Sequence, residues 1–534
     1  MGQSRGDDRA TTSAILRGVV LLRTCQMPFG SAPCQAVPVA SHAAQPHAPV
    51  ESFRGCHIDG SWVNIIDRIP TLAALLAVLV LFIEPPQVVW QRDLPAYQVL
   101  GNGRLVRAII HMHSVYSHDA CDGRPLEGAK INQACLLHMR EALCRNHVDA
   151  LFLTEHTHHV GDVPFNAILN VQPGDEPIWR DDNIIANVQR CQNGHRPMVF
   201  PGSEGFASAL ALLKPPEHPL PDVYNAQRPD QVESLREAGA SILLSHAEIP
   251  SKSATAIRTI RPDAMEVYNL HANLSSILGA WKSQPLTKID PPNHERGWRG
   301  YWLFARTVWR IALFAANPFP EPDLYFLVFF REDASALRKW GEAVLERPIT
   351  GVLGTDGHEN ALPLNMRDGE RADGYRRITR WFSNLISVEG EVTRESILTA
   401  LNAGRVYMAF EIFGTPIGLD FRAETEGRHF AMGATVKRDA TSVVSLDLAL
   451  PALAQYDARE RAPALILRLL RASNTGWIEV ARANNASLHF ETLEAGVYRG
   501  VIIIRPNHLL RYLPGAAKLI GYRPWVYTNP IYVP

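Results

Sequence analysis

The stretch HMHSVYSHD, residues 111–119, stands directly after the apolar run 105–110, and it constrains the architecture more than any other segment. In an extended segment, side chains two apart share a face. His111 and His113 therefore point to one side and can grip a single metal ion, while Met112 points to the other. An HxH pair alone is a modest signal in a chain with 20 histidines, so its weight rests on the residues that end the other apolar runs.

Those runs are 150–153, 198–200, 242–244, 264–268 and 351–353. Longer stretches separate them, such as 128–145, where Ala134, Leu137 and Ala142 fall among the apolar positions of a crossover helix. Short strands alternating with helices predict parallel βα units. The second run ends in Thr154-Glu155-His156, the third in Pro201-Gly202-Ser203-Glu204, the fourth in Ser245-His246 and the last in Gly354-Thr355-Asp356-Gly357-His358. Asp356 and His358 repeat the spacing of two. A β/α barrel gathers the carboxyl ends of its strands at one mouth, so imidazoles and carboxylates at five strand ends favour a barrel over an open sheet. Mixed His and carboxylate ligands suit Zn, Mn or Fe.

The chain of 534 residues is about three times a common domain, which predicts two folded units with accessory segments. A hydrophobic fraction of 46% and a charged fraction of 20% exclude a largely disordered or multispanning membrane chain. Lys and Arg total 53 against 54 Asp and Glu, and no long basic run is present, so nucleic acid is not the expected partner. Seven cysteines without a CxxC pair exclude a disulfide scaffold and the common zinc-finger spacing. No GxxxxGK[ST], GxGxxG or GxSxG run occurs, which removes the usual nucleotide-binding and serine-hydrolase readings.

Residues 1–68 lack a sustained apolar period and read as a leader. Residues 69–86 hold twelve consecutive apolar residues, 72–83. That is short for a spanning helix and closer to a signal-peptide core or short membrane anchor. Export to the periplasm or membrane anchoring is expected from this segment, with a cytoplasmic protein and a buried helix as the alternative. If the chain is exported, Cys121, Cys135 and Cys144 can include a disulfide pair; otherwise they are buried thiols. Residues 270–345 form an insertion rich in Trp and Phe, and 301–314 within it reads as a helix packed on the barrel, with a lid or a membrane-facing helix as the alternatives. From 416 to 534 strand patterns dominate, with Val444, Leu446, Leu448 and Leu450 alternating with polar or small residues. They predict a β-sandwich appended to the catalytic region 100–415.

Taken together, HMHSVYSHD, TEH, the Glu of PGSEG, the His of LLSHAE and GTDGH resemble the PHP (polymerase and histidinol phosphatase) domain family over about residues 104–415. The resemblance implies a distorted (β/α)7 TIM-like barrel, two or three divalent ions (Mn, Zn or Fe) and hydrolysis of a small phosphomonoester or phosphodiester by a metal-bridging hydroxide. Carried over residue by residue, the implied ligands are His111, His113, His118, His156, Glu204, His218, His246, Asp356 and His358, with Glu204 bridging. At 118 many members have Asp, so either His118 or neighbouring Asp119 takes that role, and His118 is favoured. The family's usual TDH is TEH here, which makes Glu155 a supporting carboxylate rather than a ligand. The segment GRVYMAF (404–410) and the strands after it look like those of PHP proteins with an appended β domain, which implies no activity.

A phosphate also calls for a guanidinium. Arg367 and Arg371, just past the GTDGH run, are the candidates, with Arg377 behind them. His246 or Asp356 is the expected source of the proton for the leaving group. The expected partner is therefore a small phosphorylated substrate, and the oligomeric state stays open. Two other readings compete. An amidohydrolase-type deacylase also opens with HxH, but it needs a lone Asp where DxH stands here. A non-catalytic, metal-stabilised envelope or binding protein needs a depleted ligand set.

Overall fold

Residues 105–112 are all buried, which is why this strand is apolar on both faces apart from Arg107, paired with buried Glu411, and His111. In the computed structural model, residues 94–97, 103–127, 130–216, 223–273, 321–366, 368–457, 459–513 and 517–534 are described. The expected leader 1–68, the segment 69–86, the stretch 301–314, His218 and Arg367 lie outside them. Among the described residues no helix is long and apolar enough to cross a membrane.

Among the described residues the fold is mixed α/β, with one large 18-stranded sheet and few helices. Strand β1 (Gly103–Met112) leads into helix α1 (Gln133–Arg145), which returns the chain to β2 (Ala150–Leu153) and β3 (Glu155–His156). Asn132 caps α1 by accepting from the Cys135 amide, and Cys135, Leu136, Met139, Ala142 and Leu143 form its buried face. Leu137, expected on that face, is instead exposed, because the stripe is set one position away from it. Next come β4 (Met198–Phe200), β5 (Ser203–Glu204), β6 (Ser208–Leu210), β7 (Ser241–Leu244), α2 (Ala254–Ile260), β8 (Ala264–Asn269), α3 (Ala334–Ala343) and β9 (Thr350–Gly357).

Strand β1 lies between β2 and β9, parallel to both. Parallel pairings also join β2 to β4, β3 to β5, β7 to β8 and β8 to β9. Regular βα alternation fails at β6, which runs antiparallel to both β5 and β7 because the chain turns straight back after Glu204 without a crossover helix.

The outer half of β1 pairs antiparallel with β10 (Ser383–Glu389), which pairs with β11 (Val406–Ala409). Strand β11 in turn pairs with β15 (Arg523–Thr528), so the C-terminal strands continue the same sheet. There β12 (Ala464–Ser473) pairs with β13 (Gly476–Asn484) and β14 (Gly496–Arg505), and β14 pairs with β15. A separate four-stranded sheet over Phe421–Thr425, Arg428–Ala431, Val444–Leu448 and Leu488–Thr492 faces it. A Cβ at Gly500 would lie 3.0 Å from the Leu448 methyl carbons, a close approach of the two layers that any larger residue would require Leu448 to accommodate. One apolar core joins Leu105 and Leu153 to Leu446, Val501 and Tyr527. Two disulfides, Cys121–Cys135 and Cys144–Cys191, tie the chain on either side of α1.

Candidate metal centre

The ends of β1, β3, β5, β7, β8 and β9 meet at one place. His111, His246 and Asp356 all have positive φ, at 62°, 47° and 51°. For residues with a β-carbon this conformation is uncommon and costs on the order of 1–3 kcal/mol each, so surrounding contacts must hold it. At His111 the strain coincides with a register break in both parallel ladders of β1, between Ile110 and Met112.

Glu204 stands at the centre. His246 Nε2 lies 2.9 Å from its carboxylate, His156 Nδ1 3.1 Å, His111 Nε2 3.4 Å and His113 Nε2 3.6 Å. Asp356 lies 3.3 Å from His113 Nε2, His246 Nε2 and His271 Nδ1, and 3.4 Å from His111 Nε2. Among the described residues three groups of side chains are close enough to hold an ion: His111, Glu204, His246 and Asp356; His113, His156 and His358; and His271, Asp356 and His358. Glu204 touches members of the first two groups, the position a bridging carboxylate occupies.

The outward-facing nitrogens fix the rings. His111 Nδ1 donates to Glu266 at 2.5 Å, His246 Nδ1 to Glu248 at 3.2 Å and His358 Nδ1 to the Asp356 carbonyl at 3.0 Å; His113 Nδ1 meets the Ser117 hydroxyl at 2.9 Å. With Nδ1 engaged, each Nε2 lone pair is aimed inward. Glu155 accepts from the Ser114 amide at 3.0 Å and the Ser117 hydroxyl at 2.6 Å, bracing the HxH loop. A Cβ at position 354 would lie 2.1 Å from Glu266 Oε1, so Gly354 makes room for the carboxylate behind His111.

The residues fit divalent cations. His111 Nε2, His113 Nε2 and Asp119 Oδ1 are buried without a hydrogen-bond partner, and His156 Nε2 and His358 Nε2 lie 3.1 Å apart. Electrostatics point the same way. Burial alone would lower His111, but Glu266, Asp356 and Glu204 outweigh it and raise the ring to about 10. His156 is opposed by burial and yet raised to about 10 by Asp119 and Glu204. Burial and the neighbouring His358 hold His113 well below the usual range. Burial would raise Glu204 and Asp356, but the surrounding imidazoles, His111 foremost, hold both well below it. The carboxylates thus demand positive charge where the lone pairs converge.

Of the expected ligands, His111, His113, His156, Glu204, His246, Asp356 and His358 come together. His118 is exposed with its ring 5.2 Å from that of His156, whereas Asp119 Oδ1 lies 3.4 Å from His156 Nε2 and 3.5 Å from His358 Nε2. Arg371 does not face the cluster. It is held by Asp122 at 2.6 Å and Asp373 at 2.5 Å and donates to the Glu359 carbonyl. Arg377 is fully buried against Asp323 and Asp368. Three participants stand outside the ligand set expected from the sequence: His271, which the sequence left equally open as a ligand, a supporting group or a surface group, and Glu266 and Glu248. His271 stands two residues past β8, the same signal that marked the other strand ends, while Glu266 and Glu248 carry no spacing cue.

No family model and no curated protein matches this chain. A crystal structure from Bacteroides vulgatus, of a two-domain protein containing a predicted PHP-like metal-dependent phosphoesterase, is 12% identical and aligns over 83% of this chain and 99% of its own, with a TM-score of 0.27. A score that low gives the likeness no weight, and the site's own residues are what bear on function.

Proposed function

We propose that this protein is a metal-dependent hydrolase of the PHP type that cleaves a small phosphoester at the cluster around Glu204. The observation that carries the reading is the pair of buried, unpartnered nitrogens His111 Nε2 and His113 Nε2, converging with Glu204 on Asp356. With β2 and β3 counted as one interrupted strand and β4 and β5 as another, the pairings that lead from β1 through β2/β3, β4/β5, β6, β7, β8 and β9 back to β1 support a distorted seven-stranded barrel as the scaffold.

In this reading His111, Glu204, His246 and Asp356 would hold one ion, His113, His156 and His358 with Asp119 a second, and His271 with Asp356 and His358 a third. Asp119 takes the place that His118 was expected to fill. Divalent ions held there make water acidic near neutral pH and offset the charge that develops on a phosphoryl group. Glu204 keeps the two main ligand groups together, and Glu266 and Glu248 hold the rings of His111 and His246 so that their lone pairs face inward. With the Nε2 of His246 directed at Glu204 and Asp356, His246 and Asp356 act as ligands first. Two disulfides suit an oxidising compartment, which supports export.

The test is hydrolysis of p-nitrophenyl phosphate and bis(p-nitrophenyl) phosphate by the full chain with Mn or Zn added. Turnover that stops with chelator and in the His111→Ala/His113→Ala double variant is the expected result, and the preferred ester narrows the substrate. A metal-loaded protein inert toward both esters would overturn the phosphoesterase reading.

A further inference from the structure

His246 is the ligand whose backbone is hardest to explain locally. It sits at φ 47°, on a loop rather than a strand, yet its Nε2 must reach both Glu204 and Asp356. Two lysines lie behind that loop, and both are buried: Lys252 is 4% exposed and Lys339 6%. A buried ammonium is costly unless its protons find acceptors, and here the acceptors are the loop's own carbonyls. Lys252 Nζ donates to the Ser245 carbonyl at 2.5 Å. Lys339, on α3, donates to the carbonyls of Ala247 at 2.6 Å and Ile249 at 2.8 Å. The His246 carbonyl accepts from the Ile249 amide at 3.1 Å, and the His246 amide donates to Glu266 at 2.7 Å. Each of these carbonyls is therefore spoken for without any group from the ion side.

We propose that Lys252 and Lys339 are positioning residues that lock the loop 245–249 and set His246 in place before any ion arrives. The inference rests on the metal-centre reading above and adds to it a support from a helix 92 residues away in sequence. Lysine suits the task because three protons on one nitrogen can serve two carbonyls of a tight loop, and the charge offsets nearby Glu248. The clamp acts on one ligand group only. Of the three groups, His246 belongs to that of His111, Glu204 and Asp356 alone.

The experiment is Mn2+ titration of the full chain followed by EPR, wild type against Lys339→Met, with hydrogen exchange of the 245–252 amides in the metal-free protein. The expected result is about tenfold weaker binding of one ion, with the others unchanged, and faster exchange at His246 and Ile249. Equal weakening of every ion, or unchanged affinities, would overturn the clamp while leaving the metal centre standing. Wild-type protein that takes up no Mn2+ would overturn both. Should the Met variant fail to fold, wild-type exchange still decides: those amides are expected to be protected without metal, and protection that appears only after Mn2+ is added contradicts the proposal.

Discussion

Glu266 is a carboxylate in the middle of an otherwise apolar strand, 1% exposed, and it is retained because every contact it makes serves the centre. It accepts from the His111 ring, the His246 amide and the Asn269 side chain, and Gly354 leaves it space. Glu266→Gln keeps the shape and loses the charge. It is expected to weaken metal binding by about 10–100-fold, measured by calorimetric titration with Zn2+. At the rim, His271→Ala is expected to remove an ion that His118→Ala leaves in place, which metal analysis of the two variants will show. The ligands legible in the sequence were those whose positions obey the strand rule, an imidazole or carboxylate just past an apolar run. Glu266 obeyed no rule, since a buried charge inside a strand is explained only by the partner that folding brings to it. For His118 and Asp119, adjacent residues of comparable ligand chemistry, only the course of the chain after β1 separates exposed from inward.

Among the elements, the strands were readable because a strand buried on both faces is a short apolar block bounded by polar residues. Runs at 150–153, 198–200 and 351–353 lie within or coincide with β2, β4 and β9. The antiparallel β6 was not readable, because three residues carry too little pattern to give a direction. Cysteine pairing was equally hidden, since spacing does not say which thiols meet. Cys121–Cys135 joins the turn that follows Asp119 to α1, and Cys121 and Asp122 both hold positive φ there. Closing a loop with a sequence separation of 14, this bond is expected to contribute about 3 kcal/mol. Cys121→Ser/Cys135→Ser should lower the denaturation midpoint accordingly, measured in urea, and no change would show that the turn is held without it.

Across the protein as a unit, the appended strands are not a passenger. They share a sheet with the region that carries the candidate metal centre through β11 and β15, and one core runs through both. His508 marks this junction, with its Nε2 donating to the Phe413 carbonyl at 3.0 Å. Burial, partly countered by that hydrogen bond, lowers its pKa to about 4 from the ordinary 6.5. Between those values the unfolded chain binds a proton that the folded chain does not. The contribution is therefore fully present above about pH 6.5 and is lost as pH falls toward 4, on the order of 3 kcal/mol. His508→Gln is expected to flatten that limb of the stability curve, and calorimetry at pH 4.5 and 7.5 checks it. Whether Glu204 organises a multinuclear centre is decided by the metal content of the full chain after dialysis against Mn or Zn, wild type beside Glu204→Ala. Two or three tightly held ions per chain in the wild type, falling sharply when Glu204 is removed, is the predicted outcome. A wild type that retains no ion, or a variant that retains them all, would contradict it.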